Sequence, residues 1–197
     1  KFLSFNRTMR EHRCALFYFA FTNNLLNNNI FSFLNHDSSN VEYLMSSLPK
    51  YFNDVDIKVV EKIVKMLPYQ IDTQSMGTLK QYNFSMDNTL KEFYEKTYVS
   101  LVTETAFDDY TVFISEKLWK PIMNLHPFIL IGSYGLLEYI RSLGFKTFSP
   151  FIDESYDSVR DPVERYNLIF NEINKLNSMS IDEIHDWYYS ITAVSYT

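Results

Sequence analysis

The sequence predicts an α/β domain with a mainly parallel, Rossmann-like sheet flanked by helices. Short apolar segments alternate along the chain with longer segments of helical periodicity, which is the pattern of repeated strand–helix units. One apolar segment, 127–131, has no polar residue and is typical of a parallel strand buried on both faces. The 197 residues fit one domain, for which about 150 residues is typical. Because the first residue is Lys rather than Met, we expect this domain, 1–197, to be a fragment of a longer chain.

The first part of the chain is predicted to form a strand, a turn, a helix and a second strand. Apolar residues at 2–5 form the first strand, and 6–8 form a turn. Helical spacing of apolar residues then extends over 9–24. The second strand covers 30–34, and a polar loop follows at 36–40.

The middle of the chain carries one clear amphipathic helix, at 56–66. Asp54 or Asp56 is its N-cap. The same two residues form an Asp-x-Asp pattern, which holds a divalent metal in some transferases. Here a helix follows and no apolar strand precedes it, so capping is favoured. Residues 69–87 are predicted to be irregular, and 88–96 to form a short helix.

The second half is predicted to contain three strands separated by helices. The strands are 98–102, 127–131 and 145–148, and Ser115 begins a helix between the first two. Three further helices follow from their end signals: 134–143 ending at Gly144, one capped by Asp161 that runs to Leu176, and one capped by Ser180 that runs to about Ile191.

Composition and charge argue against several classes of function. A net charge of -6 disfavours nonspecific nucleic-acid binding. The single cysteine, Cys14, excludes an internal disulfide and a Cys-based zinc site, and it suits a reducing, cytoplasmic location. The longest apolar run, 14–21, is too short to span a bilayer. Glycine phosphate-loop and dinucleotide motifs do not occur.

Arginines follow the first predicted strand, where a parallel sheet places its ligands. Arg7, Arg10 and Arg13 lie there with His12, and Arg10 and Arg13 are predicted to share one face of the helix start. Each cation opposes the helix dipole by about 0.3–1 kcal/mol. A bound phosphate would relieve this conflict, because Arg binds phosphate in a bidentate manner. Pairing with surface carboxylates explains the arginines equally well, and His12 is more simply a satisfied polar residue.

A second cation lies at the helix start formed by Ser115, Glu116 and Lys117. Ser115 can cap the helix, and Glu116 suits its first turn. Lys117 is unfavourable there unless a phosphate binds the helix N-terminus. The local sequence alone favours a capped surface helix.

Acidic residues follow two other predicted strands. Glu104 comes directly after 98–102 and could accept hydrogen bonds from a ribose or sugar hydroxyl, although a plain loop residue is the simpler interpretation. The acidic segment 153–157 could bind a metal or sugar hydroxyls, but a solvated loop is favoured. Cys14 is predicted to be inert core, and the histidines have no ligand spacing.

Residues 98–157 resemble the sugar-nucleotide-binding half of GT-B-type glycosyltransferases, in particular α1,3-fucosyltransferase-like enzymes of viruses and bacteria. Two segments carry the resemblance, Phe-Ile-Ser-Glu-Lys-Leu-Trp-Lys-Pro-Ile at 113–122 and Pro-Phe-Ile-Leu-Ile-Gly at 127–132. The Glu-containing turn at 103–105 fits the same pattern, and 6–13 is similar to the start of this domain.

The resemblance implies a donor-binding domain for a nucleoside-diphosphate sugar, in particular a GDP-sugar. Glu116 would bind the ribose, and Lys117 with Arg7 or Arg10 would bind the diphosphate. The sugar would pass to a glycan or other hydroxyl acceptor, with no obligatory metal and with an upstream acceptor-binding domain. The family's Asn after the turn glutamate is Thr105 here.

Two other functions remain open. The first is a non-catalytic, transferase-derived α/β module that binds a ligand or serves as a scaffold through its aromatic surface. The second is an unrelated nucleotide-binding enzyme.

Overall fold

A computed structural model describes residues 1–33, 40–69, 91–108 and 110–195 and shows a Rossmann-like α/β fold. Its four-stranded sheet has the order β2-β1-β3-β4, and every pair of neighbours is parallel. The strands are β1 (Phe2–Asn6), β2 (Ile30–Phe33), β3 (Val99–Thr103) and β4 (Phe128–Ile131). Four of the predicted strands are thereby confirmed to within one or two residues.

Helices connect and cover the strands. They are α1 (Glu11–Thr22), α2 (Asn40–Ser47), α3 (Ile57–Met66), α4 (Lys91–Glu95), α5 (Glu116–Met123), α6 (Leu136–Ser142), α7 (Pro162–Ser178) and α8 (Ile181–Ser195). Short 3₁₀ helices form at Leu25–Asn28, Leu48–Lys50 and Ser155–Ser158. The irregular segment predicted at 69–87 and the polar loop predicted at 36–40 lie, apart from Tyr69 and Asn40, outside the described residues.

Three predicted helix starts are confirmed by their caps. The carboxylate of Asp56 caps α3, and that of Asp161 accepts the N–H of Glu164 at 2.8 Å at the start of α7. At the start of α8, Ser180 Oγ accepts the N–H of Glu183 at 3.1 Å, and the Glu183 carboxylate accepts the N–H of Ser180 at 2.7 Å. Each cap involves residues within three positions of one another, so the sequence alone is enough to predict it.

The main hydrophobic core joins the sheet to α1 and α7. Helix α1 is buried from its first turn onward, and Phe19 stacks on Phe170 of α7 with ring centroids 4.0 Å apart. A second, small cluster of Leu3 and Tyr94, with Phe5 packed against it, covers the β1 surface under α4.

The prediction of a strand at 145–148 is wrong. This segment lies beside β4 but makes no strand pairing in the described structure, and the Phe148 ring packs edge-on against Phe128 at 5.0 Å. The free edge of β4 is instead satisfied by a side chain, because the N–H of Leu130 donates to Tyr156 Oη at 3.2 Å. A side chain and a covering segment thus protect the edge that a fifth strand would have covered.

The prediction of a solvated acidic loop at 153–157 is also wrong, because the carboxylates of Glu154 and Asp157 are buried. Asp157 accepts the N–H groups of Leu137 and Glu138 at 2.9 Å each and thereby fixes the start of α6. Glu154 accepts a backbone N–H at 2.8 Å and an arginine at 3.1 Å. Both carboxylates serve the fold.

The strand order fixes where a ligand would bind. The chain leaves β1 toward β2 on one side and then returns to β3 on the other side of β1. The carboxyl ends of β1 and β3, at Asn6 and Thr103, therefore form the topological switch point, where α/β sheets bind their ligands.

Candidate functional site

A pocket of about 260 Å³ opens at this switch point. Four segments line it: β1 with the turn and helix start that follow, α4, the end of β3, and the stretch 113–121 around the start of α5. Its inner wall is apolar, with Leu3, Phe5 and Tyr94, and the cationic side chains lie at the segments that follow the strands.

The structure brings the two predicted groups of cations into this one pocket. Arg7, Arg10 and Arg13 line it from the β1 side, and Lys117 lines it from α5. Lys120 lines it as well and is largely buried. Sequence reasoning missed Lys120, although its position one helical turn after Lys117 was a usable signal.

Arg10 is the exposed member of the arginine group. It is the N-cap residue of α1, in extended backbone geometry, because the helix begins at Glu11 and not at residue 9 as predicted. Within the described ranges, its guanidinium forms no ion pair with an acidic side chain. Arg10 and Arg13 therefore do not share a solvent-facing surface, since Arg13 is buried.

Arg13 links the turn after β1 to the end of β3. Its guanidinium donates to the carbonyl oxygens of Thr8, Thr103 and Glu104 at 3.2 Å each. Burial lowers the pKa of Arg13 to about 10, so it stays charged at neutral pH. The alternative of pairing with a surface carboxylate is wrong for this residue, which is a buried cation held by carbonyl oxygens, with its Nε left without a hydrogen-bond partner among the described residues.

His12 is a satisfied core residue, as the sequence favoured. Its Nε2 donates to the carbonyl oxygen of Glu104 at 2.9 Å, and its ring stacks on Phe107 at 5.3 Å. Burial lowers the pKa of His12 to about 3, so the ring is neutral at physiological pH.

The start of α5 has the predicted cap. Ser115 Oγ accepts the N–H of Lys117 at 3.3 Å. Lys117 Nζ also pairs with the Glu116 carboxylate at 3.0 Å, and both side chains are 23% exposed. A ligand anion would therefore meet a lysine that already has a partial counter-charge.

Glu104 lies behind the pocket wall. Its side chain is fully buried, whereas Thr103 and Thr105 on either side reach the pocket. One carboxylate oxygen accepts the N–H of Ser115 at 3.0 Å, and the other finds no hydrogen-bond partner among the described residues.

Three other findings concern metal binding, cysteine chemistry and membrane spanning. Across the described residues, no three His, Cys, Asp or Glu side chains gather in a way that could hold a metal ion. Burial raises the pKa of the Cys14 thiol to about 12, which fits the predicted inert core position. Among the helices that the structure describes, none is long and apolar enough to cross a membrane.

Comparison with known proteins found no matching family model, curated protein or solved structure. The fold and the pocket define the class of protein: a Rossmann-like α/β domain with a cationic pocket at its switch point.

Proposed function

We propose that this chain is the donor-binding domain of a glycosyltransferase and that its pocket binds a nucleoside-diphosphate sugar, with a GDP-sugar as the first candidate. One observation carries the proposal. Cations from two separate segments, represented by Arg10 and Lys117, line the same pocket at the carboxyl ends of β1 and β3. The resemblance in sequence assigns the diphosphate to these same residues.

The electrostatics of the pocket fit a diphosphate. Arg7, Arg10 and Lys117 present cationic side chains, and the positive end of the α5 dipole lies at the same pocket. The whole chain carries a charge of -6, so the protein as a whole does not attract anions. Affinity for a diphosphate must therefore come from contacts within the pocket.

Each pocket side chain has a role in the proposed reaction. Lys117 and the arginines would stabilise the negative charge that develops on the leaving nucleoside diphosphate, as metal ions do in other transferases. Glu116 would accept hydrogen bonds from the ribose hydroxyls. An acceptor hydroxyl would attack the sugar, and we expect an acceptor-binding domain to supply the group that removes its proton.

Calorimetric titration tests the proposal directly. In buffer containing EDTA, we expect GDP or UDP to bind more tightly than the matching monophosphate, and the nucleoside to bind weakly. Lys117→Ala and Arg10→Ala should each weaken diphosphate binding about tenfold or more, the value of a charged hydrogen bond. Lys58→Ala is the matched control, because Lys58 is exposed on α3 and outside the pocket lining.

Two results would reject the assignment. One is equal affinity of Lys117→Ala and the parent for every nucleotide. The other is equal affinity of the parent for a nucleoside and its diphosphate. A parent that binds the diphosphate sugar but neither hydrolyses it nor transfers its sugar would support the non-catalytic, transferase-derived module instead.

A further inference from the structure

We infer that Glu104 is a positioning residue for the diphosphate site. Its buried carboxylate fixes the start of α5, which carries Lys117, relative to the arginine segment, the residues 7–13 that carry Arg7, Arg10 and Arg13. The inference rests on the proposed function, because it assigns how that site keeps its shape. Glu104 itself lies behind the pocket wall, so its effect passes through Ser115.

The main chain of Glu104 is fixed to the sheet. It follows the last residue of β3, and its N–H donates to the carbonyl oxygen of Ile131 at the end of β4, at 2.9 Å. Its carboxylate then accepts the N–H of Ser115 at 3.0 Å. A rigid strand end thereby holds the residue that caps α5.

The cap passes this constraint to the lysine. Ser115 Oγ accepts the N–H of Lys117 at 3.3 Å, so Glu104, Ser115 and Lys117 form one hydrogen-bonded series. Loss of the Glu104 oxygen would leave the N–H of Ser115 without this acceptor and free the first turn of α5 to move. A displacement of the Lys117 side chain would weaken a contact that depends on distance and direction.

The same residue also contacts the arginine segment. Its carbonyl oxygen accepts hydrogen bonds from His12 at 2.9 Å and from Arg13 at 3.2 Å. Its negative charge raises the pKa of Arg13 and so opposes the stronger effect of burial. Glu104 is therefore the point where the two cation-bearing segments meet.

Burying the Glu104 carboxylate only to accept the N–H of Ser115 is energetically unfavourable. The side chain is fully buried, and one of its oxygens has no hydrogen-bond partner among the described residues. Burial of a polar group without a partner is unfavourable, and a neutral side chain could cap Ser115 equally well. Coulomb attraction between Glu104 and the buried Arg13 offsets part of this cost.

Three variants separate positioning from stability. Glu104→Ala removes the acceptor, whereas Glu104→Gln keeps an oxygen that can accept the N–H of Ser115. Glu154→Ala is the matched control, since Glu154 is also buried and accepts a backbone N–H, from Phe148 at 2.8 Å, but lies outside the pocket lining. For each chain we would measure GDP affinity by calorimetry and amide hydrogen exchange at Ser115 and in β3.

We expect Glu104→Ala to bind GDP about tenfold more weakly or worse and to exchange the Ser115 amide faster, with β3 still protected. Glu104→Gln should bind GDP within about fivefold of the parent and keep the Ser115 amide protected, because its amide oxygen still accepts that N–H. Glu154→Ala should lose stability and keep the parental affinity.

Parental GDP affinity in Glu104→Ala would overturn the inference and leave the proposed function intact. Equal loss of affinity in Glu104→Gln and Glu104→Ala would overturn it as well, because the anchoring oxygen is present in only one of them. A parent that binds no GDP overturns the proposed function and this inference together, and that outcome is recognised before any variant is made.

Discussion

The ion pair between Glu116 and Lys117 leads to a prediction in which two ligands respond differently to one substitution. Glu116→Gln removes the counter-charge that lies 3.0 Å from Lys117 Nζ. Both side chains are 23% exposed, so the pair contributes about 0.2–1 kcal/mol, and its release should tighten anion binding by up to about fivefold. Pyrophosphate has no ribose and should show only this gain.

A nucleoside diphosphate should show the same gain and an additional loss. If the Glu116 carboxylate binds the ribose, its replacement by an amide weakens a charged hydrogen bond worth about 1.5–3 kcal/mol. The gain at Lys117 is common to both ligands and cancels in their ratio. The amide oxygen of Gln still accepts a neutral hydrogen bond worth about 0.5–1.5 kcal/mol, so the preference for GDP over pyrophosphate should fall by about 5- to 10-fold.

Competition calorimetry measures both affinities on one preparation. Glu138→Gln is the control, because Glu138 is an exposed acid in the first turn of α6 and does not line the pocket. An unchanged GDP-to-pyrophosphate ratio in Glu116→Gln would refute ribose binding by this carboxylate, whatever happens to the absolute affinities.

Three further predictions concern the fold. Phe19→Ala should lower the free energy of unfolding by about 3–5 kcal/mol in urea titrations, because Phe19 is buried and stacked on Phe170, and a loss below about 1 kcal/mol would contradict this packing. Cys14 should not react with a thiol reagent at pH 8 until denaturant is added, since burial raises its pKa to about 12, and rapid native labelling would contradict that burial. Burial lowers the pKa of His126 to about 4, so the unfolded chain takes up a proton first and the stability due to neutral His126 should be lost as pH falls from about 6.5 toward 4. His126→Gln should flatten that part of the stability profile, and identical profiles would contradict the shift.

The features that the sequence predicted correctly are those with local causes. Strand and helix alternation gave the α/β class, and the caps at Asp56, Asp161 and Ser180 marked three helix starts within a residue. Such signals involve groups within a few residues of one another, so a single sequence contains them.

The errors concern features that depend on distant segments. The Phe-Lys-Thr-Phe segment at 145–148 resembles a strand, but pairing needs a free partner edge, and Tyr156 already occupies the edge of β4. Asp157 is buried because the start of α6, about twenty residues away in sequence, presents it with two N–H groups. Neither contact can be predicted from the residues that lie close to it in the sequence.

The sequence predicted where the candidate site lies in the fold better than it predicted the role of each residue there. The rule that ligands bind at strand carboxyl ends led to Arg10, Glu104 and Lys117, and two of these line the pocket. Glu104 is buried behind the pocket wall instead, where its carboxylate accepts the N–H of Ser115 and its carbonyl oxygen accepts a hydrogen bond from Arg13. Side-chain direction at a strand end is decided by such partners.

The hydrogen bonds of Arg13 have a kinetic consequence. Because its guanidinium is bound to carbonyl oxygens on both sides of the crevice, the turn that carries Arg7 and Arg10 is already immobilised before an anion arrives. Little conformational entropy remains to be lost there when the ligand docks. Association should accordingly proceed in a single rapid phase whose observed rate rises linearly with ligand concentration, without a slow isomerisation step.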